Sequence, residues 1–374
     1  MKPCRRQFLQ YAGAGVAAMA MAGLPGRIMA LTRQELEEET AARKDISGLD
    51  SIEEEILYLA SLAPSGHNAQ PWTVQVAGRG HFIIGINPER YLPAVDPTNR
   101  ETMLSMGAFI ENLVQAAASR GYSASVQVVA RNLKDTRVAE VKLVKASTTR
   151  DSVDAIRKRR TVRSDMKPAI IRDSDISAIA YHMGKDLVYY PRGSEVSEFI
   201  RKATIEANRV QVYRDPAQEE LSEFIQWSDE NAKKYRYGIT PESMGITGIA
   251  GWFVKHFFNR EKVMEKGFRE TSVKKAVEQA NEGAGWIVIS NNGNAVAQLI
   301  QTGRLYERMC LKVRDKNIAI HPMSQALEEK PFMDQVQEKL GNGKTVQFLL
   351  RVGYVDDYPK PVSIRRPVSW FVKS

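Results

Sequence analysis

Residues 62–72 read LAPSGHNAQPW and separate a helical pattern from a strand pattern. Upstream, apolar residues recur at helical spacing, and downstream a short strand-like run begins at Thr73. The loop between them is rich in short polar side chains and free backbone N–H groups, which can hydrogen-bond a planar polar ring or an anion. An ordinary turn of Pro, Ser, Gly and Asn is the alternative. The length of the loop, with Asn68, Gln70 and Trp72 at fixed offsets, favours a binding segment.

Residues 159–163 read RRTVR and form the second distinctive segment. Three guanidinium groups and one hydroxyl within five residues suit a phosphate group, because arginine forms bidentate, charge-assisted hydrogen bonds to phosphate oxygens. Like charges this close raise the free energy unless an anion neutralises them or water solvates them. A solvated basic helix end is therefore the alternative interpretation.

Together the two segments resemble the signatures of the FMN-dependent nitroreductase family, an Arg-Arg-Ser-x-Arg element and an Ala-Pro-Ser-x-x-Asn-x-Gln-Pro-Trp element. The arginine element usually comes first, whereas here it comes second. That order resembles the Acg-like subgroup, in which two nitroreductase halves are fused so that one chain imitates the usual homodimer. Residues 99–113 and 363–367 (SIRRP) also resemble that subgroup, and the resemblance covers about residues 46–374.

The resemblance implies an α+β, nitroreductase-like fold in which a central, mostly antiparallel sheet is flanked by helices and the halves are duplicated in one chain. It divides the chain into a first half at 46–150 and a second half at 151–374, with a lid-like insert at about 215–270. The halves together would form a monomer that mimics a homodimer. We expect one flavin site built from both of them.

An internal similarity supports duplication independently of the resemblance. Residues 107–122 align without gaps on residues 303–318, which pairs Gly107 with Gly303 and Glu111 with Glu307. The alignment also pairs Gly121 with Asn317, two residue types that tolerate a left-handed helix cap. Any two amphipathic helices could give so few identities, so the alignment alone leaves duplication open.

Hydrophobic periodicity and turn residues predict where the main helices and strands lie. A capping box of Ser51 and Glu54 opens a helix that Pro64 stops, and Gly121 closes a second helix at 101–120. Another helix is predicted at 294–316, and helical, charged sequence runs from 174 to 234. Strands are predicted at 73–76, 82–86, 125–129, 139–144, 286–289 and 346–352.

The resemblance also implies the residues that hold FMN, with the chemistry at flavin N5 and no catalytic side chain or metal. The RRTVR segment would bind the phosphate and ribityl chain, with two C-terminal arginines as cationic partners. The loop at 62–72 would meet the flavin from the other half, and the segment 321–325 would turn a backbone N–H toward N5. The implied residues are Pro64, Ser65, Asn68, Gln70, Arg159, Arg160, Thr161, Arg163, Met323, Ser324, Gln325, Arg365 and Arg366.

Residues 1–30 are predicted to be a twin-arginine signal peptide, and residues 31–45 a linker. Arg5 and Arg6 are followed by Phe8 and Leu9, and the apolar run after them is shorter than the 18–20 residues that a transmembrane helix needs. A Sec signal or an uncleaved anchor is the alternative. We expect export to the periplasm through the twin-arginine machinery, which moves folded proteins that often carry a cofactor.

Composition excludes several other classes of protein. The chain has 374 residues and a net charge of +9, which falls to +5 without residues 1–30, a weak basis for nucleic-acid binding. Its two cysteines exclude a disulfide scaffold, and Cys310 is predicted to be a core thiol on the apolar face of its helix. The five histidines show no metal-binding spacing, and the sequence has no Gly-x-Ser-x-Gly hydrolase motif.

Residues 235–269 combine glycine, aromatic and basic residues, and three interpretations stay open. The segment could be a lid that covers the flavin, a cationic amphipathic helix on a membrane surface, or a packed peripheral helix. The sequence at 252–258, WFVKHFF, fits each of them.

The expected function is that of an exported FMN-binding oxidoreductase that passes hydride or electrons to a small electrophile, such as a nitroaromatic compound or a quinone. The electron donor would be NAD(P)H, a quinol or a redox protein, since NAD(P)H is scarce outside the cytoplasm. A non-catalytic, flavin-sequestering protein with a lid over the FMN site is the alternative. A flavin-free scaffold is a third hypothesis.

Overall fold

The computed structural model of the chain describes residues 48–148 and 152–373, so the predicted signal peptide and linker lie outside the described residues. Helices and antiparallel sheets are both present, which confirms the α+β class. The helices are α1 (Ser51–Ser61), α2 (Arg100–Ser119), α3 (Val153–Lys158), α4 (Asp173–Ala180), α5 (Glu195–Tyr213), α6 (Asp215–Phe224), α7 (Asp229–Tyr235), α8 (Gly248–Phe257), α9 (Lys266–Ala280), α10 (Val296–Val313) and α11 (Phe332–Leu340). The strands are β1 (Trp72–Gly78), β2 (His81–Ile86), β3 (Tyr122–Val128), β4 (Arg137–Lys145), β5 (Leu187–Pro191), β6 (Gly285–Asn291), β7 (Ile318–Pro322), β8 (Thr345–Tyr354) and β9 (Val372–Lys373).

Each half of the chain supplies four strands to one of two sheets, and these two series of four strands have the same order. In the first half the order is β3-β4-β2-β1, and in the second half it is β7-β8-β6-β5. Every neighbouring pair in these two series is antiparallel. In both halves a helix connects an inner strand to the edge strand that follows it in the chain, namely α2 between β2 and β3 and α10 between β6 and β7.

The two connecting helices cross at a pair of glycines. A Cβ on Gly107 would lie 2.2 Å from the carbonyl oxygen of Ile300, and a Cβ on Gly303 would lie 2.0 Å from that of Leu104. The two contacts are reciprocal, as at an interface with two-fold symmetry. Only residues without a Cβ allow the helix backbones to approach this closely.

The C-terminal strand β9 crosses from the second half to the first. It pairs in parallel with β1, and the amide of Val74 donates to the carbonyl oxygen of Phe371 at 2.8 Å. Phe371 is 1% exposed and packs edge-on against Phe109, which also stacks with Trp72. The sequence-based division at residue 150 therefore cuts through a sheet to which the C-terminal residues belong.

The insert is longer than the sequence indicates. Its helices α5 to α9 occupy the whole connection from β5 to β6, whereas the equivalent strands β1 and β2 are joined by a tight turn. The strand β5 lies within the charged stretch at 174–234, which was expected to be helical throughout. With five residues and an edge position, β5 leaves little periodic signal.

Most predicted elements are found within a few residues of their expected bounds. The first helix is capped by Asp50 and Glu53 rather than by Ser51 and Glu54, a shift of one residue. Cys310 is buried, as predicted. Within 48–148 and 152–373, no helix is both long enough and apolar enough to cross a membrane.

Candidate functional site

The loop at 62–72 adopts a strained conformation. His67, Asn68 and Gln70 have φ angles of 47°, 52° and 53°, in the left-handed region that non-glycine residues seldom adopt. The hydroxyl oxygen of Ser65 accepts a hydrogen bond of 3.0 Å from the Gln70 amide and so stabilises the turn. Left-handed non-glycine residues concentrate at functional sites, where the surrounding structure compensates for the strain.

The side chain of Gln70 is fully buried and has all its partners within the protein. Its Nε2 donates to the carbonyl oxygen of Arg236 at 2.9 Å, and its Oε1 accepts from the amide of Arg366 at 2.9 Å. Gln70 therefore joins the loop to the insert and to the C-terminal segment. The structure therefore gives Gln70 a scaffolding role, with both ends of its side-chain amide bonded within the protein.

Asn68 makes a similar set of contacts. Its Nδ2 donates to the carbonyl oxygens of Gly238 and Ile364, at 2.9 and 3.1 Å. Its Oδ1 accepts from Arg365 at 2.8 Å. Pro64 and Ser65 are also partly exposed. The hydroxyl group of Ser65 can still donate a hydrogen bond.

The RRTVR segment lies between the loop at 62–72 and strand β7. Val162 donates its amide to the carbonyl oxygen of Ile320 at 3.2 Å, which aligns the segment with the end of β7. Arg159 donates to the carbonyl oxygen of Leu62 at 3.2 Å, so an arginine of the second half contacts the loop of the first. Thr161 is partly exposed beside it. The two distinctive sequence segments are thus in direct contact.

The two C-terminal arginines are also brought to this region. Arg365 donates to the carbonyl oxygens of Leu62 and Ala63, both at 3.1 Å, and so shares the Leu62 oxygen with Arg159. Arg366 donates to the carbonyl oxygens of Gln70 and Trp72, at 2.6 and 2.9 Å. Arg365 therefore lies beside the RRTVR segment, whereas Arg366 is committed to the base of the loop.

The segment 321–325 begins in the last two residues of β7 and continues beyond the strand. The Met323 amide donates to the carbonyl oxygen of Leu349 at 3.0 Å and its side chain packs in a buried core, so the amides of Ser324 and Gln325 are the donors that this segment offers. The Oε1 of Gln325 is buried and has no hydrogen-bond partner among the described residues. A buried acceptor without a partner is costly and marks a place where a ligand or water could bind.

Arg351 was missed by the sequence analysis although it lies at the centre of the site. It is fully buried on β8 and donates to the carbonyl oxygen of Arg163 at 2.7 Å and to Nδ1 of His321 at 3.2 Å. Burial, together with the charges of Arg163 and Arg351, holds the pKa of His321 well below its usual range, so the imidazole is neutral and can accept this bond. An arginine within the apolar run 346–352 was the signal available in the sequence.

Positive charge dominates the region. Burial, and then the neighbouring Arg160, Arg351 and Arg159, lowers the pKa of Arg163 to about 10. Glu307 and Glu282 are the carboxylates that reach these guanidinium groups, the first beside Arg159 at 3.4 Å and the second beside Arg351 at 3.1 Å. A buried cluster with excess cations is stabilised when an anion binds to it.

Several guanidinium nitrogens in the cluster have unused hydrogen-bonding capacity. The Nε atoms of Arg160 and Arg351 are buried and donate to no acceptor among the described residues, whereas the Nε of Arg159 faces Oε1 of Glu307 at 3.4 Å. Together with the excess of positive charge, these donors suit a phosphate or another oxyanion. No group of three metal-ligating side chains occurs within the described ranges.

The insert also reaches the loop at 62–72 through an aromatic contact. Burial lowers the pKa of His67 to about 4, so the ring is neutral, and it stacks on Phe224 of the insert at 5.8 Å. His67 and Arg163 both keep some accessible surface. Residues of both halves and of the insert therefore lie around the cationic RRTVR segment.

The insert closes directly on this site. Arg163 donates to the carbonyl oxygen of Ser243 at 2.9 Å, and the amide of Gly238 donates to the carbonyl oxygen of Asn68 at 3.0 Å. In helix α8, Lys255 is largely buried between Asp229 and Glu242, both at 2.5 Å, so this cation is not displayed for an anionic membrane surface.

No protein-family model matches the chain. Two curated proteins of Mycobacterium tuberculosis are similar to most of it. "Putative NAD(P)H nitroreductase Rv3131" is 26% identical over 326 residues, which cover 85% of this chain and 90% of that protein. "Putative NAD(P)H nitroreductase acg" is 23% identical over 330 residues, which cover 83% of this chain and 92% of that protein. These relatives support the resemblance to nitroreductases along most of the sequence.

Two solved structures were also found to be partly similar to the chain. A "putative nitroreductase" from Anabaena variabilis covers 90% of this chain and 95% of its own, with a TM-score of 0.45 and 12% identity. The FMN-dependent nitroreductase NfnB from Mycobacterium smegmatis covers 56% of this chain and 94% of its own, with a TM-score of 0.34 and 12% identity.

Proposed function

We propose that this chain is a nitroreductase-family oxidoreductase that binds FMN between its two halves and reduces a small electrophile such as a quinone or a nitroaromatic compound. The observation that carries the proposal is the meeting of residues 62–72, 159–163 and 365 around a buried cationic cluster. These are the segments whose residues resemble the family's FMN-binding signatures. The relatives named as NAD(P)H nitroreductases support the same activity.

The residues present fit the phosphate end of FMN. Arg160 and Arg351 offer buried Nε donors without acceptors, and Arg163 retains donors besides the one bound to Ser243. Arg159 adds positive charge beside them, with its Nε facing Glu307. Arg365 adds positive charge from the C-terminal segment. In this proposal these guanidinium groups hold the phosphate, and Thr161 adds a hydroxyl beside them.

The remaining predicted residues divide into two roles. Ser65, Ser324 and Gln325 would hydrogen-bond the polar edge of the flavin ring, because each keeps an unused donor or acceptor in the segments that meet at the site. Asn68, Gln70 and Arg366 would act as scaffold, since their polar groups bind one another or the neighbouring backbone. FMN itself would supply the two-electron chemistry, and the protein would position it and exclude water.

We further propose that the two halves form a fused pseudo-dimer. The equal strand order of the two sheets and the reciprocal contacts of Gly107 and Gly303 support this. Export by the twin-arginine pathway stays a proposal from residues 1–30 of the sequence. In the periplasm a quinol or a redox protein would replace NAD(P)H as the donor.

Flavin sequestration is the second candidate function, and the position of the insert favours it. Carbonyl oxygens of Arg236, Gly238 and Ser243 bind directly to Gln70, Asn68 and Arg163. A lid held by these bonds could exclude the nicotinamide donor from the flavin. The two functions differ in whether bound flavin can be reduced.

An absorbance spectrum of the purified protein tests the proposal. We expect flavin bands that bleach when NADPH or a quinol is added anaerobically. In Arg163→Ala the dissociation constant for FMN should rise about 10- to 100-fold through loss of a charge-assisted hydrogen bond. The exposed Arg131→Ala is the matched control and should bind FMN as the wild-type protein does.

Each spectral outcome has one meaning. Bands that persist with every donor would favour sequestration over catalysis. Failure to bind FMN, even on reconstitution of protein with a native circular dichroism spectrum, would reject the proposal. Equal affinity in Arg163→Ala and wild-type protein would place the phosphate elsewhere.

A further inference from the structure

A polar cavity of about 650 Å³ lies along helix α10. One of its walls is formed by Arg308, Leu311, Lys312 and Asp315, whose spacing of three or four residues places them on one face of the helix and of the turn that follows it. Residues of α3 and the segment 356–358 line it as well. None of the residues assigned to the proposed flavin site lines this cavity, so it is a separate candidate site.

On the α10 wall, a buried carboxylate orients an arginine. Glu111 of α2 is fully buried and accepts hydrogen bonds from Nε of Arg308 and, at 3.0 Å, from Nε of Arg304. Arg308 is thus bound on its Nε side, and in the part of the chain that the structure describes its two Nη groups have no acceptor. Two guanidinium groups share one carboxylate, so positive charge is in excess here. This end of the cavity suits a carboxylate of a ligand, because a guanidinium group binds it with charge-assisted hydrogen bonds.

The cavity also contains two carboxyl groups without partners. Asp315 follows α10, and Asp357 follows β8. Neither of them forms a hydrogen bond or an ion pair among the residues that the structure describes, and both are exposed. Carboxylate oxygens accept hydrogen bonds from an ammonium group, so these two aspartates suit the positive end of a ligand.

The other charged residues of the cavity have partners within the protein. Asp154 accepts from Lys158 at 2.5 Å, and Asp356 is paired with Lys167. Arg314 donates to the carbonyl oxygen of Lys158 at 3.0 Å. The arginine and the two aspartates described above are therefore the charged groups that remain for a ligand.

The distance between the two ends indicates the length of that ligand. Arg308 and Asp315 are seven positions apart in the sequence, which corresponds to about 10 Å along a helix axis at a rise of about 1.5 Å per residue. An extended peptide spans about 3.3–3.6 Å per residue, so about three residues cover the same distance. The side-chain amide of Asn317 also lines the cavity, and it forms no hydrogen bond within the described ranges. It can bind a peptide group of the ligand.

We propose that this cavity binds a short zwitterionic peptide, about three residues long, with its carboxylate at Arg308 and its ammonium group at Asp315 and Asp357. The proposal involves neither FMN nor electron transfer and so goes beyond the proposed function. Both charges of the peptide are required, because a ligand with only one of them leaves the charged group at the opposite end without a partner.

Titration of the purified protein with trialanine near pH 7, followed by ligand-observed NMR, tests the proposal. We expect saturable binding with a dissociation constant below about 1 mM. N-acetyl-trialanine lacks the ammonium group, and trialanine amide lacks the carboxylate. Each blocked peptide should bind at least about tenfold more weakly than trialanine, through loss of one charge-assisted interaction.

Two variants test which residue binds which end of the peptide. Arg308→Gln should weaken trialanine binding at least about tenfold and leave the affinity for trialanine amide unchanged, because that peptide has no carboxylate to lose. Asp357→Asn should weaken trialanine binding and leave N-acetyl-trialanine unchanged. Arg131 is exposed and does not line the cavity, so Arg131→Gln is the matched control and should bind all three peptides as the wild-type protein does.

The outcomes decide the inference separately from the proposed function. Failure of trialanine to bind, or equal binding of trialanine and the blocked peptides, would overturn it. A variant that loses trialanine and its matched blocked peptide to the same extent would overturn the assignment of the two ends, even if that variant were poorly folded. Because no step needs bound flavin, trialanine binding by protein that never binds FMN would support this site while rejecting the proposed function.

Discussion

At the scale of single residues, the burial of charged groups determines the electrostatics of the site. Glu307 is fully buried beside Arg159 at 3.4 Å, and burial raises the pKa of Glu307 to about 7 despite that cation. The same surroundings raise the pKa of Cys310 to about 12, through burial and then the charge of Glu307, so this thiol is inert. Arg159 of the RRTVR segment is therefore paired with a carboxyl group that is about half protonated near neutral pH.

Stability should depend on pH through Glu307. The folded protein keeps a proton on Glu307 that the unfolded chain loses above its ordinary pKa of 4.5, so this stabilisation is complete at lower pH and is lost as the pH rises through about 7. Relative to Glu307→Gln, the wild-type free energy of unfolding should fall by about 2–3 kcal/mol from pH 5 to pH 8. Urea unfolding at several pH values measures it.

The exposed Glu54→Gln provides the control for this titration. Its free energy of unfolding should stay parallel to that of the wild-type protein across the pH range. A constant difference between wild-type protein and Glu307→Gln at all pH values would contradict the assignment of the raised pKa to Glu307.

At the scale of elements, the crossing of α2 and α10 positions both halves of the site. Gly107 and Gly303 occupy equivalent places in the internal alignment and contact each other at the crossing, where each faces a carbonyl oxygen of the opposite helix. The equivalent Glu111 and Glu307 are both fully buried, the first paired with Arg304 and Arg308 and the second with Arg159. Glu111 thus belongs to a structural ion cluster on one side of the crossing, whereas Glu307 belongs to the cationic site on the other side.

Alanine at either crossing glycine should be strongly destabilising. The added Cβ would approach a backbone carbonyl oxygen to 2.2 Å in Gly107→Ala and to 2.0 Å in Gly303→Ala, so the helices must separate. We expect each variant to lose about 3 kcal/mol or more of unfolding free energy, measured by urea denaturation.

Gly267→Ala is the matched control for the crossing. This glycine is exposed in helix α9, and a Cβ there would meet no atom within 4 Å. Because alanine has the higher helix propensity, the variant should be more stable by about 0.5–1 kcal/mol. Losses of similar size at all three glycines would show that the close approach of α2 and α10 is not what requires glycine.

At the scale of the whole molecule, the chain path joins the halves more than once. Strand β9 returns from the second half to pair with β1, and the insert between β5 and β6 reaches back to the loop at 62–72. Arg365 and Arg366 lie on the segment that leads into β9, so the same return carries cations to the site. We therefore expect the two halves to unfold in one cooperative transition.

Phe371 is the buried residue that fixes the C-terminal segment to the core of the first half. Phe371→Ala removes a ring that is 1% exposed in the first-half core, and we expect a loss of about 3–5 kcal/mol. Hydrogen exchange at the Val74 amide, which donates to the carbonyl oxygen of Phe371, should accelerate. Thermal and urea unfolding, with exchange measured by NMR or mass spectrometry, provide the readouts.

A substitution at the adjacent Trp370 tests whether the loss of stability depends on burial of the side chain or only on its position near the C-terminus. Trp370 is 44% exposed, so Trp370→Ala should stay within about 0.5 kcal/mol of the wild-type protein. Equal losses at the two positions would argue against Phe371 as the specific anchor of β9.

The sequence by itself determined the α+β class, the main helices and strands, and the two segments that meet at the site. Local signals suffice for these features, because periodicity, capping residues and turn residues act over a few positions. The internal alignment of 107–122 with 303–318 also identified the two glycines and the two buried glutamates in advance. Spacing alone could not show that the glycines touch.

Only the tertiary structure decided which polar side chains are available to a ligand and which already have hydrogen-bond partners within the protein. Gln70 and Asn68 belong to the distinctive loop, yet their amides bind backbone carbonyls of the insert. Arg351 belongs to no local motif, and its place in the site comes from Arg163 and His321, which are distant in sequence. The physical reason is that desolvation and hydrogen-bond pairing depend on what surrounds a group in three dimensions, which no short segment specifies.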